Sequence, residues 1–247
     1  MIKVEKDVND VPPSLNSVLT QQRRSELIAA GRFIKENKYN SRYKMADIKN
    51  HLSAIYRSKC AFCEQKIEQW DVEHFRPKSI YYWLAYSWDN LLLACPTCNG
   101  HKNDHFEVLA HKVEYHEEAL EDIHSLADLY NEQEQNQLIH PEKETVEEDL
   151  FFEKNGEVYS DNGRAQQTIA ICKLNRSFLK DERKKLFDDV QNKIKDRFLE
   201  YSMGDQEAIA KIKGLIEDFA KDSANINNTY LAFRRYAVKH LLPKVPT

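Results

Sequence analysis

Cys60-Ala-Phe-Cys63 and Cys95-Pro-Thr-Cys98 are two CxxC units, and Glu73, His74 and Asn90 lie between them with Asn99 straight after the last cysteine. Each unit bends the backbone so that both sulfurs can face one ion, and two units supply the four thiolates of a tetrahedral zinc site. Zinc alone would stabilise a fold. The polar set bracketed by the cysteines, a carboxylate, an imidazole and two amides, has the chemistry to cleave a phosphodiester. That reaction needs an activated water, a cation against the phosphate charge and stabilisation of the leaving oxygen. His74 can accept a proton from water, because an imidazole with a pKa of about 6.5 is substantially neutral near pH 7. Glu73 and Asn99 offer oxygen ligands suited to Mg²⁺ or another hard divalent ion, and Asn103, one helical turn later, is a further candidate on the same side. Arg76, Lys78, His101 and Lys102 stand close enough in the chain to contact phosphates. Adjacent strand residues face opposite ways, so Glu73 and His74 can share one site only if the strand distorts near its end.

The elements that must position these groups can be read from periodicity. Six glycines, seven prolines and apolar residues at helical spacing outside the centre indicate a mostly α-helical chain. Pro12-Pro13-Ser14 opens a helical region running through Leu27, Ile28, Phe33 and Ile34, and Ile48, Leu52, Ile55 and Tyr56 form a second stripe that delivers the chain to Cys60. Asp71-Val-Glu-His-Phe alternates as a half-buried strand ended by Arg76-Pro77, Leu91-Leu-Leu-Ala reads as its partner, and a helix is expected from Asn99 to His105. Strand, loop, strand and helix pinned by four cysteines make a ββα metal finger. The division expected is a helical region over 1–59, the finger over 60–106, and a second helical region over 107–247 with a β-hairpin near 151–159. In that last region an acidic helical stretch reaches about Asn136, and Asn155-Gly156 suggests a type I′ turn. Leu174, Phe178, Leu186, Phe187, Val190, Ile194 and Phe198 form the apolar face of a long helix ended near Gly204. Tyr81, Tyr82, Trp83, Tyr86 and Trp88 read as core for a small finger, and His111, His116 and His124 as surface residues among acids.

Composition narrows the class. No apolar run approaches the roughly 18 residues of a membrane span, and the first residues lack the apolar core of a signal peptide, which places the chain in the cytoplasm with no membrane partner. Four of five cysteines in two knuckles fit a reducing compartment, leaving Cys172 a small buried apolar role. The net charge of -4 hides an asymmetry. Residues 1–59 carry twelve Lys/Arg against six Asp/Glu and residues 164–197 ten against five, whereas 106–163 carry three against seventeen. A phosphate-binding face beside a face that repels phosphate is compatible with that pattern, as are solvated helix surfaces.

Cys60-Ala-Phe-Cys-Glu, Val72-Glu-His-Phe-Arg-Pro-Lys, Trp88-Asp-Asn-Leu-Leu-Leu-Ala-Cys-Pro-Thr-Cys-Asn and Lys102 together resemble the HNH endonuclease superfamily, in the branch whose ββα core is tied by a four-cysteine zinc. The resemblance implies that His74 is the general base, that Glu73 before it and Asn99 bind the catalytic metal, and that Asn90 holds the loop that orients the base. Glu73 stands where the family more often has aspartate. Phe75-Arg-Pro-Lys-Ser, Tyr81-Tyr-Trp-Leu-Ala-Tyr and the distal Thr168-Ile and Leu174-Asn-Arg are similar to the HNH subunit of Septu anti-phage systems and its retron-associated relatives. What that similarity implies is a defence nuclease with an ABC/SMC-like ATPase partner, acting on nucleic acid, DNA in the first place and RNA in the second. The glutamate in place of aspartate leaves a rival reading, a zinc-stapled module that binds nucleic acid or a partner without turnover.

Overall fold

Proline at the first helical position forfeits no intrahelical hydrogen bond, and Pro13 opens the first helix, α1 (Pro13–Asn16). Ser17 caps α2 (Val18–Ala30) by accepting the Thr20 N–H at 3.3 Å, and Gly31 ends it in the left-handed region at φ 60°. After the single-turn α3 (Asn37–Asn40), α4 (Ala46–Tyr56) buries Ile48, Leu52 and Tyr56, four residues apart, against the finger. The structure, a computed structural model, describes residues 1–244.

The two expected strands form: β1 (Asp71–His74) pairs antiparallel with β2 (Leu91–Ala94), Asp71 opposite Ala94 and His74 opposite Leu91. All four residues of β2 are buried, as a ribbon covered on both sides requires. Helix α5 (Pro96–Lys102) starts at Pro96, three residues before the position read from sequence, with the Cys95 sulfur accepting the Cys98 N–H at 3.3 Å as its cap. Cys98 and Asn99 therefore ride on the helix. Asn103 is the C-cap of α5 with φ 41°, its N–H bonded to the Asn99 carbonyl at 2.8 Å one turn back. The chain is mostly α-helical around this ββα unit, and among the described residues no helix is long and apolar enough to cross a membrane.

The acidic stretch expected to be helical is largely irregular. It holds a 3₁₀ turn at Glu117–Leu120, which buries Ala119, and α6 (Ala127–Glu134), which buries Ala127 and Tyr130, and neighbouring carboxylates disfavour one continuous helix through both. The hairpin is present as β3 (Phe151–Phe152) and β4 (Val158–Tyr159), but its turn is not type I′. Of Asn155 and Gly156 only the glycine has positive φ, +82°, and the Gly156 N–H bonds the Glu153 carbonyl at 2.9 Å, a three-residue loop closing on a left-handed glycine. A Cβ there would stand 2.2 Å from the Lys180 carbonyl oxygen, so glycine is required twice over.

Helix α7 (Gly163–Ile171) precedes the long α8 (Ser177–Ser202), which packs against α9 (Ala208–Ala224), and α10 (Leu231–Tyr236) closes back. Leu174 is buried just before α8, whereas Phe178 and Phe198, expected on its apolar face, are 52% and 43% exposed. The C-terminal helices are tied to the first knuckle. Buried Glu64, next after Cys63, accepts the Leu231 N–H at 2.6 Å at the start of α10, and the Lys59 ammonium donates to the carbonyls of Ile226 and Asn228.

A four-sulfur knuckle beside a cleft on the ribbon edge

The reactive atoms of Cys60, Cys63, Cys95 and Cys98 all lie within 4.8 Å of one another and are buried, the only such group of metal-ligating side chains among the described residues. Cys63 and Cys95 sulfurs are 3.9 Å apart, against about 3.8 Å for the edge of a tetrahedron with Zn–S bonds of about 2.3 Å. The four residues fit a tetrahedral ion. Sequence reasoning attached no role to Arg176, whose guanidinium donates to the Cys98 sulfur at 3.4 Å and the Cys95 sulfur at 3.8 Å. Such a cation offsets part of the negative charge of four thiolates and fixes their direction. Its neighbour Asn175 bonds both backbone groups of Val158, so the Leu174-Asn-Arg string joins hairpin to knuckle.

On the other side of the finger a cleft of about 230 Å³ is lined by Asp71, Glu73, His74, Lys78, Asn99 and Tyr43, with Lys44, Asn103 and Asp104 at its rim. Asp71, Val72, Glu73 and His74 all reach it, although the pairing of β1 is regular to its end. A cleft over one face would meet only alternate residues. This sheet has two strands, so β1 keeps an unpaired edge around which both faces are reached, and the distortion anticipated from sequence is unnecessary.

His74 is buried, and its ring meets Tyr43 edge-on at 4.6 Å between centroids. Its Nε2 lies 3.0 Å from the Ala85 carbonyl oxygen, which can only accept, so Nε2 carries the proton of the neutral ring. Nδ1 is left with its lone pair. It has no partner among the described residues and is not sealed in, hence it opens to the cleft. Burial holds the imidazole well below its ordinary pKa, and the charges of Lys78, Lys102 and Lys44 push the same way, while the bond to Ala85 opposes them.

Ala85 belongs to a 3₁₀ turn, Tyr82–Tyr86, whose position is set by Asn90. The Asn90 carbonyl oxygen accepts the Arg76 N–H at 2.7 Å, and its amide donates to the carbonyls of Arg76 at 3.1 Å and Leu84 at 3.3 Å. One buried amide thus holds both ends of the 76–84 loop. Tyr81, Trp83, Tyr86 and Trp88 are fully or almost fully buried beneath it, and Tyr82 is half-buried.

On the opposite face, Asn99 donates to the Asp71 carboxylate at 2.8 Å, and Glu73 pairs with Lys102 at 2.6 Å. Burial raises the Glu73 carboxyl above its ordinary range, although the Lys102 ammonium opposes the rise. Asp71 went unnoticed in the sequence, yet the two-residue period of a strand puts it on the face of Glu73 and could have found it. Tyr43 and Lys44 carry no such signal, since only the fold brings α3 and its following turn to the ribbon.

Two expected phosphate contacts are corrected by burial. Arg76 is 1% exposed, its guanidinium bonded to Glu134 at 2.8 Å and Asn131 at 2.9 Å, and Lys102 is 0% exposed with its ammonium on Glu73 and the His74 carbonyl. Neither can reach a nucleic acid. Lys78 is half-buried over the rings of Phe33 and Tyr43, and His101 is exposed on α5. His111 and His116 are exposed as expected, but His124 is half-buried, accepting the Trp88 N–H at 3.0 Å and meeting Asn16 at 2.9 Å, with its pKa lowered to about 4 by burial. Cys172 is fully buried, as its apolar reading requires.

A ββα ribbon clamped by four cysteines, with an oriented histidine at the end of its first strand, is the architecture of the HNH class, and the HNH endonuclease family model matches residues 60–105. Septu protein PtuB of Bacillus mycoides (strain KBAB4) is 31% identical over 218 residues, covering 78% of this chain and 69% of the relative, and the chain belongs to the family of that protein. Septu protein PtuA of the same strain is 22% identical over 162 residues, 59% of this chain but 21% of the relative.

Proposed function

We propose that the chain is a metal-dependent endonuclease that hydrolyses phosphodiester bonds of nucleic acid, DNA first and RNA second, as the nuclease of a Septu-type anti-phage complex with an ATPase partner. The observation that carries this reading is the His74 ring, which donates from Nε2 to Ala85 and presents the Nδ1 lone pair to the cleft. An imidazole kept neutral by burial takes a proton from water at Nδ1 without first losing one. Asn90 acts through His74 by holding the turn that carries Ala85.

Zinc is the ion the four cysteines suit, in a structural role. The residues that would hold a catalytic divalent ion such as Mg²⁺ are Glu73 and Asn99, with Asp71 beside them and Asn103 on the rim, a set of hard oxygen donors. Bound there, the ion would supply charge against the scissile phosphate. Lys78 and Lys44 line the cleft, where a phosphate backbone would meet positive charge, and His101, exposed on α5, is a further candidate contact. Membership of the PtuB family and the partial similarity to PtuA support the Septu reading, and the ABC/SMC-like ATPase partner is part of that proposal.

The test is cleavage of plasmid DNA and of structured RNA across a Mg²⁺ titration, with and without the partner, by the wild type and His74→Ala. Loss of at least about a hundredfold in rate with zinc content and melting unchanged is expected. Cutting by the variant at the wild-type rate would overturn the assignment. One observation favours the rival reading: the carboxylate of Glu73 is already paired with Lys102. Salt-dependent binding of nucleic acid with no metal-dependent product would establish a non-catalytic zinc-stapled module instead.

A further inference from the structure

Behind the turn that carries Ala85, between α2 and the segment 120–125, lies a second cavity of about 560 Å³. It takes in Arg24, Gln21 and Ser25 from α2, Asn9 from the N-terminal segment and Glu121 and Asp122 across from them. Arg24 is 6% exposed and makes one hydrogen bond, Nη2 to the Tyr86 carbonyl at 2.9 Å. Among the described residues its Nε is buried with no partner, and Nη1 bonds nothing yet is not sealed in, so that nitrogen opens to the cavity.

A buried guanidinium normally sits on a carboxylate, as Arg76 does on Glu134 at 2.8 Å. Among the described residues Arg24 forms no ion pair. Burial alone lowers its pKa to about 10, with no carboxylate contributing. The two N–H donors of Nη1 are therefore unspent beside a space of metabolite size.

We propose that this cavity is a binding site for a small organic anion, with the free donors of Arg24 taking a single carboxylate or phosphate-monoester group and the amides of Gln21 and Asn9 and the hydroxyl of Ser25 meeting its polar remainder. A guanidinium nitrogen donates to either oxyanion alike. Glu121 and Asp122 on the same cavity set the limit to one anionic group, because a polyphosphate would be repelled by them. The site lies apart from the His74 cleft, and its occupancy can be read without any cleavage.

Calorimetric titration of the zinc-loaded full chain with glutamine, adenosine monophosphate, inorganic phosphate and adenosine triphosphate separates the sources. One-to-one binding of glutamine, which carries a single carboxylate, identifies a carboxylate, and of the monophosphate a phosphate ester; the triphosphate binds more weakly than the monophosphate. Arg24→Gln weakens binding at least about tenfold, the loss expected for a hydrogen bond to a charged group. Ser25→Trp, on the exposed side of α2, fills the cavity without touching the core and abolishes binding, whereas Lys78→Ala in the other cleft leaves it unchanged. Binding of none of the probes, of inorganic phosphate alone, of the triphosphate as tightly as the monophosphate, or at full strength in Ser25→Trp overturns the proposal.

Discussion

Replacing Asn90 by alanine removes three hydrogen bonds in one step, and the structure says which of them matter. The Leu84 carbonyl keeps a partner in the Ser87 N–H at 3.1 Å, but both backbone groups of Arg76 lose their bond to the Asn90 side chain inside the core. An unpaired buried polar group costs about 1–3 kcal/mol, so the two left by Asn90→Ala should lose about 2–6 kcal/mol of stability. Set against a total in the upper part of the usual range of about 5–15 kcal/mol, the protein still folds. The turn bearing Ala85 is then held at one end only, and the His74 ring loses its fixed direction; loss of an orienting bond of this kind lowers activity by about 10–100-fold. Urea denaturation and initial cleavage rates of the zinc-loaded variant measure the two effects. Asn90→Asp gives a sharper signature. Its carboxylate keeps the Arg76 N–H but faces two carbonyl oxygens, so burial and repulsion raise its pKa in the folded state. The folded state then binds more protons than the unfolded one above pH about 4, and this variant loses stability as pH rises towards 7. Wild-type stability and cleavage in Asn90→Ala, or a pH-independent deficit in Asn90→Asp, would refute the reasoning.

Arg176→Ala withdraws the cation from the Cys95 and Cys98 sulfurs, and competition with a chelator should show zinc held about 10–100-fold more weakly, with the fold intact in excess zinc. Glu73→Gln breaks a buried ion pair, leaving Lys102 uncompensated at a cost of about 3–5 kcal/mol in urea unfolding, and raises the Mg²⁺ concentration needed for cleavage if the oxygen of Glu73 binds the ion. His140 is fully buried against Phe75 and kept well below its ordinary pKa by burial first, then by Arg76, Lys6 and Lys143. Below pH about 6.5 the unfolded chain takes up the proton that folded His140 refuses, so stability present above that pH falls by about 1.4 kcal/mol per unit as the solution is acidified, a slope that His140→Phe should reduce in melts with zinc content checked.

The finger was legible from local pattern because its determinants are local. Two CxxC units supply four thiols that suit one ion, and alternation in Asp71–His74 and the apolar run Leu91–Ala94 identify the two strands. Residue types alone also supplied the likeness to the HNH endonucleases that the comparison over 60–105 bears out. The acidic stretch misled because Ala119, Ile123, Leu126, Ala127 and Tyr130 recur at helical spacing and are buried, yet only Ala127–Glu134 forms an α-helix, and the hairpin turn misled because Asn155-Gly156 suits more than one loop.

Tertiary structure alone decided which polar residues are open. Arg76 and Lys102 look like their exposed neighbours in the chain, yet packing against Glu134 and Glu73 buries both, since a charge can leave water when a partner far along the chain or one helix away compensates it. The same packing brought Tyr43 and Lys44 to His74, set Arg176 on the sulfurs and left Arg24 without a carboxylate. Residue chemistry and short spacing were written in the sequence. Which donors are spent and which remain free depends on contacts between distant segments, and those exist only once the chain has folded.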